Sequence, residues 1–384
     1  MKNQLFFTRY LYAYDEVECA LLSAILNKDF DTAIFWGYEL YYSGFKNELI
    51  TLLFKIYFDF IALHDIGFEP DYEYNFVSIS KRHDDLMVAS MIDYLITRKI
   101  TFDIFMLRNI CEQFDFDIDY DGEPTTQTQL EETIRHWLKQ KDYRSIAKWI
   151  MTQDNFDDIV VLELFAKTIS KKNELTKIVG EYKFLNMNMS MNMSVSDSKL
   201  ILLVQVLKQI LINEKRLRDC NFIRLDHSVE DVNINNYKTI DNVKGYKTLE
   251  KANLIPIDKH QIMSLFKLSR NKYNIREMYL KNWLYYASFS PILSKRIRQF
   301  GGIVNHNDMR VDFKEEPNDD LMQEFYERYG LEPDEQTKNI QEKSIMCFNV
   351  TTNWTQLYEK FKKNGLNEEY DDELAEFDND KISY

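Results

Sequence analysis

Glycine and proline are scarce in this chain, 10 and 6 residues out of 384. An all-β sandwich or barrel leans on both for its many tight turns, so the composition argues against one. Cysteine is scarce as well: Cys19, Cys111, Cys220 and Cys347 stand far apart and form no C-x-x-C pair. That spacing fits neither a disulfide framework nor a structural zinc site, and a reducing, cytoplasmic compartment is expected. The most apolar stretch, Leu52 to Leu63, is broken by Lys55 and Asp59 and falls short of the roughly 20 residues of a spanning helix. The first residues turn acidic at Asp15 and Glu16 without the apolar core of a signal peptide. Membrane insertion is not expected. The six histidines are scattered, and no H-E-x-x-H, Gly-rich phosphate loop, G-x-S-x-G elbow or kinase signature occurs.

What the chain has in excess is aromatic: 26 Phe, 24 Tyr and 5 Trp. Rings of that size build a core of large plates. The first half reads as successive amphipathic helices. Val17, Ala20, Leu21, Ala24 and Ile25 recur at helical spacing within 12–27. A second helix runs through Ala33, Trp36, Tyr38 and Leu40 to a stop at Ser43–Gly44, and a third covers 46–63. Further helices are expected at 84–98, 101–114, 126–140, 143–153, 156–170 and 196–215. Asp29–Trp36 and Asp142–Trp149 share a pattern, an Asp and an aromatic opening a helix with Trp seven residues after the Asp. Asp suits an N-cap, and the shared pattern is compatible with a solenoid-like array of helix pairs.

Residues 186–195 are low-complexity and expected to form a loop. From 219 to 256 the pattern degrades, and 221–225 could be a strand of a small hairpin. Helices are expected again at 258–270, 275–288, Pro291 to Phe300, 319–329 and 353–363, with disorder from 367 to 384. Charge follows the same division. Residues 1–213 hold 22 basic and 32 acidic side chains, 214–300 hold 17 and 9, and 314–384 hold 8 and 19. The expected fold is mainly α: a helical array over 1–213, a basic, mostly helical domain over 214–313 and an acidic segment over 314–384.

Three patterns suggest binding. Asp117, Asp119 and Asp121, followed by Gly122, match the first half of a calcium-binding EF-hand loop. The second half fails, with Pro124 at position 8 and Thr128 where a bidentate Glu belongs, so a solvated helix connection is the expectation and no cofactor is assigned. Met187, Met189, Met191 and Met193 carry thioethers suited to Cu(I), within a segment that reads more simply as a biased loop. The third pattern is a basic block: Lys259, Lys267, Arg270, Lys272, Arg276, Lys281, Lys295, Arg296 and Arg298, interleaved with Tyr273, Tyr279, Trp283, Tyr285, Tyr286 and Phe289. Cations neutralise phosphates and rings stack on bases, so the block suits nucleic acid. Met278, Trp283, Tyr286 and Ala287 at helical spacing are more simply a core stripe with the cations on its solvated back. An enzyme with a dispersed, motif-free site is a third possibility.

The segments Ala33-Ile34-Phe35-Trp36-Gly37-Tyr38-Glu39-Leu40-Tyr41-Tyr42-Ser43-Gly44-Phe45, Tyr285-Tyr286-Ala287-Ser288-Phe289-Ser290-Pro291-Ile292 and Leu331-Glu332-Pro333-Asp334-Glu335-Gln336 resemble a family of helical proteins encoded by nucleocytoplasmic large DNA viruses, the giant viruses of protists. The resemblance covers residues from about 10 to 340. It implies a viral protein made in host cytoplasm, in the virion, the viral factory or the transcription machinery, with viral or host proteins as partners. It carries over no catalytic or binding residue. In the first segment Glu39 sits among aromatics; a rim position in solvent is expected, and burial would demand a partner.

Overall fold

The computed structural model describes residues 6–10, 12, 14–65, 86–113, 116–118, 124–169, 179–180, 182–183, 195–213, 262–263, 270–271, 282–313, 319–329, 354–366 and 370. They are mainly helical. In chain order the helices are α1 (Tyr14–Leu26), α2 (Phe30–Tyr42), α3 (Lys46–Phe60), α4 (Leu86–Thr97), α5 (Asp103–Gln113), α6 (Gln127–Gln140), α7 (Tyr143–Thr152), α8 (Asp158–Ile169), α9 (Val195–Asn213), α10 (Pro291–Gln299), α11 (Asp319–Tyr329) and α12 (Trp354–Phe361). The strands are β1 (Ile262–Met263), β2 (Arg270–Asn271), β3 (Gly302–Asn305) and β4 (Arg310–Phe313), and 3-10 turns cover Ala62–His64 and Lys362–Asn364. Among the described residues no helix is long and apolar enough to cross a membrane. The chain divides into two compact units, each built from three separated stretches: unit 1 from Met1–Leu52, His83–Thr97 and Leu225–Asn353, unit 2 from Leu53–Arg82, Arg98–Arg224 and Trp354–Tyr384.

In unit 1, α2 packs against both α1 and α4. Its aromatic sequence explains why: Ala33, Ile34, Trp36, Tyr38, Leu40 and Tyr41 are all buried, which takes neighbours on more than one side. Asp29 caps the helix, accepting the Thr32 N–H at 3.2 Å. Its other end closes in a Schellman motif, with Phe45 N–H bonded to the Leu40 carbonyl and Gly44 N–H to that of Tyr41. Gly44 takes the left-handed φ of +94° that the motif requires, and a Cβ there would meet Pro291 Cβ at 2.8 Å. Gly37 is needed for space instead, since a Cβ would come within 2.5 Å of Ile92 on α4.

In unit 2, α9 is the central helix. Leu200 to Leu211 are buried all round it, and it packs on α5, α7, α8 and the turn Ala62–His64. Each large apolar side chain so buried contributes about 1.5–3 kcal/mol of transfer free energy. A capping box at Thr126 and Gln129 starts α6, and Asp142 caps α7 through the Ser145 N–H at 3.0 Å. Trp137 and Trp149 meet in the core with ring centres 6.1 Å apart.

The structure departs from the sequence reading in several places. Within the helix expected at 258–270, β1 and β2 pair antiparallel, Ile262 with Asn271 and Met263 with Arg270. A short apolar run such as Ile262–Met263 serves either period, and cross-strand pairing decided it. A second hairpin, β3–β4, forms where none was expected after Gly301-Gly302. Its turn is built by Asn305, whose Oδ1 accepts the N–H groups of Asn307 and Asp308 at 3.1 Å each. The third helix ends at Phe60, not Leu63, and passes into the 3-10 turn. Inside the tail expected to be disordered, Tyr370 is buried, its N–H on the Tyr358 hydroxyl and its ring under Arg144. An acidic composition does not stop a single aromatic from docking. The hairpin at 221–225, the loop residues 186–194 and the segment 331–336 lie outside the described residues.

Candidate interaction surface and buried ion pairs

Residues 282–313 and 319–329 of unit 1 carry three of the nine predicted cations, Lys295, Arg296 and Arg298. Residues 282–287 are helical, and Ser290-Pro291 starts α10 with proline at its first position, where a missing N–H costs nothing. Gly301, at φ +77°, turns the chain from α10 into β3. The hairpin and α11 then close over a cluster of rings. Phe300 lies 5.8 Å from both Phe325 and Tyr329, Phe313 lies 5.5 Å from Phe325, and Trp283 lies 6.4 Å from Tyr326. A second group stands nearer solvent: Tyr285 edge-on to Phe289 at 5.0 Å, and His306 stacked on Phe289 at 6.1 Å with Nδ1 3.3 Å from the Tyr285 hydroxyl.

Some large apolar side chains stay exposed here. Among the described residues the large apolar side chains classed as exposed are Ile303, Met309 and Met322, at 53%, 43% and 39%. All three belong to the hairpin or α11. Beside them Arg310 is drawn to Asp312 at 2.7 Å and Asp308 at 3.5 Å, so its charge is largely answered within the hairpin.

Of the nine predicted cations, Lys295, Arg296 and Arg298 lie on α10. Lys295 and Arg298 are exposed, and Arg298 donates back to Ser294 through Nε at 3.2 Å and a terminal nitrogen at 3.0 Å. Arg296 is half-buried, its guanidinium 4.5 Å from the centre of the Tyr329 ring. Arg270 is described only as backbone in β2, and Lys259, Lys267, Lys272, Arg276 and Lys281 lie outside the described residues. Trp283, Tyr285, Tyr286 and Phe289 are half-exposed; of the core stripe offered as the alternative, Ala287 is buried, Trp283 and Tyr286 are not fully so, and Met278 lies outside the described residues.

The expectation for Glu39 is overturned: it is fully buried. Its partner is Arg9, whose Nε donates to Glu39 Oε2 at 2.9 Å, while Tyr10 N–H reaches Oε1 at 3.3 Å. Burial by aromatic neighbours makes the ion pair obligatory, and the Arg9 guanidinium also lies 4.6 Å and 5.1 Å from the Tyr10 and Tyr42 ring centres. The hydroxyls of Ser43 and Ser290 complete the arrangement around residues 6–10. Ser43 Oγ accepts Arg9 N–H at 2.8 Å, and Ser290 both accepts Phe7 N–H at 2.9 Å and donates to the Phe7 carbonyl. Ile292 N–H bonds to the Ser43 carbonyl at 3.3 Å. Two of the three segments that carry the viral resemblance therefore meet here. Burial holds the Tyr10 hydroxyl above its ordinary pKa, with Arg9 opposing and Glu39 adding to the rise. Nothing local singled out Arg9; a lone cation in the aromatic stretch from Phe6 to Tyr14 was its one signal.

Unit 2 has its own buried pair. Arg108 on α5 grips Asp59 on α3 with two parallel bonds, Nε to Oδ1 at 3.0 Å and a terminal nitrogen to Oδ2 at 2.7 Å, and reaches Glu112 at 3.4 Å. Burial holds the Asp59 carboxyl above its usual range in spite of the guanidinium. Burial acts to lower Arg108, and Asp59 with Glu112 outweighs it. Nearby Asp103 accepts from the Thr101 hydroxyl and from Leu366 N–H at 2.9 Å. Asp158 receives both the Tyr182 hydroxyl and, at 3.3 Å, Lys199 Nζ. Burial also pushes the Cys111 thiol up to about 12, the opposite of an activated nucleophile.

Asp117 is exposed, while Asp119, Asp121 and the methionines 187–193 lie outside the described residues. Among the described residues no group of three or more His, Cys, Asp or Glu side chains is placed to hold a metal ion. Comparison with protein-family models, with curated proteins and with solved structures gives no match for this chain.

Proposed function

We propose that this chain is a non-enzymatic interaction or structural protein of a viral assembly, the virion or the viral factory, and that it meets a protein partner through the surface of residues 283–322. One observation carries the reading. The exposed large apolar side chains among the described residues, Ile303, Met309 and Met322, fall within one hairpin and the helix after it. Exposed apolar groups on neighbouring elements of the chain suit association with another protein surface. Lys295 and Arg298 on α10 add charge that steers an acidic partner. The viral setting rests on the resemblance of 33–45, 285–292 and 331–336, of which the first two pack around residues 6–10.

Cross-linking mass spectrometry on purified particles and on factory fractions tests both parts. Cross-links from Lys295 to one viral protein are expected, and they are lost in the I303S/M309S/M322S variant while its melting temperature holds. Absence of the chain from both fractions, or cross-links that survive the substitutions, refutes the reading.

A second reading, a nucleic-acid-associated factor working through 259–298, draws on the exposed Lys295 and Arg298 beside half-exposed Trp283, Tyr285, Tyr286 and Phe289. Filter binding over a salt series separates the two. Phosphate contacts make the affinity for single-stranded nucleic acid fall steeply with salt, with a slope of about 0.7 per contact, and a flat response removes this reading.

A further inference from the structure

The way residues 6–10 are held has the form of peptide recognition. Three backbone N–H groups of this short stretch, those of Phe7, Arg9 and Tyr10, are taken by side chains remote in sequence: Ser290, Ser43 and Glu39. Ser290 serves the Phe7 N–H and carbonyl together, as a neighbouring strand would. Phe7, Thr8, Arg9 and Tyr10 are all buried, Thr8 Oγ1 accepts the Tyr12 N–H at 3.2 Å, the chain turns at Arg9–Tyr10, and Arg9 ends on Glu39. Main-chain bonds thus supply attachment, and an apolar pocket and a carboxylate supply selection.

We propose that the cleft framed by Glu39, Ser43 and Ser290 is a binding site for a peptide with the pattern Phe-Thr-Arg that turns at its arginine, and that residues 6–10 are the ligand it holds within its own chain. Release of that stretch makes the site available to a Phe-Thr-Arg segment of another protein. Glu39 selects arginine over other residues because the site is dry and supplies one fixed carboxylate, while the fully buried Thr8 restricts the intervening position to a small side chain. This surface is distinct from Ile303, Met309 and Met322, so the outcome below is independent of theirs.

Two measurements on the full chain test it. In the F7A/R9A variant the resident stretch is weakened. A labelled peptide copying residues 4–12 should then bind, and one with arginine replaced by alanine should bind about thirtyfold more weakly or worse. The same loss is expected for the intact peptide when E39Q is added to the variant. Equal binding of the two peptides, or no binding by a variant that keeps its helical circular dichroism, overturns the proposal. Hydrogen exchange of the wild-type chain covers the case in which the variant does not fold. The amides of Phe7, Arg9 and Tyr10 should exchange faster than those of α2, through a local opening; exchange at the α2 rate overturns it.

Discussion

Arg9–Glu39 in unit 1 and Arg108–Asp59 in unit 2 are both arginine–carboxylate pairs taken out of water, yet they are built differently. Arg108 and Asp59 sit on two helices and share a two-pronged contact, with Glu112 as a third member. Arg9 sits on a short non-helical stretch and meets Glu39 through Nε, with the Tyr10 and Tyr42 rings beside its guanidinium and Ser43 on its N–H. A pair locked between helices has no inexpensive way to let water in when broken. A pair that includes a short stretch does, because the stretch can come away while the helices stay. The same chemistry therefore carries different consequences in the two units.

Replacing Arg108 by Met should give the largest effect, a loss of about 3–5 kcal/mol in denaturant-induced unfolding, because Asp59 is left charged and buried. The pH dependence follows from Asp59. Burial already holds its folded-state pKa above the unfolded value, and without Arg108 that rise grows. The R108M protein should be most stable below the ordinary carboxylate pKa and lose stability as pH rises through the raised folded value. A flat pH profile would show that water reaches Asp59. Next comes Arg9 to Met, where release of residues 6–10 should limit the loss to about 1–3 kcal/mol. A loss as large as that of R108M would abolish the distinction between the two pairs. Smaller again, alanine at the caps Asp29 and Asp142 should each cost about 1 kcal/mol, seen as lowered melting temperatures of similar size in the two units. The least effect is expected from Arg310 to Ala on the exposed hairpin, under about 1 kcal/mol and fading with added salt.

Local chemistry made much of the helical fold legible. Asp29 and Asp142 announced helix starts, Ser43-Gly44 announced a stop, and Pro291 opened α10 as its rigid φ allows. What could not be read was anything settled by residues far apart. Glu39 looked like a rim residue because its partner lies 30 positions away. Tyr370 looked like part of a disordered end because Tyr358 and Arg144, which hold it, are supplied by the fold. The β3–β4 hairpin was missed although Ile303-Val304 and Val311, separated by Asn, His and Asp residues, carry a strand-and-turn composition. Of the candidate surface, α10 and its cations were visible in advance. The exposure of Ile303, Met309 and Met322 was not, since apolar residues in a sequence do not announce which of them the fold will leave outside.

The interleaving of the two units bears on how the chain is made. Unit 2 is completed by residues after Asn353, among them Leu366 and Tyr370, so a nascent chain that has released α9 still lacks part of that core. At ribosomal speeds of about 5–20 residues per second, the intervening stretch takes on the order of ten seconds to emerge. Throughout that interval the sites that Leu366 and Tyr370 later fill await them. Unit 2 is thus the part of the fold that closes last during synthesis.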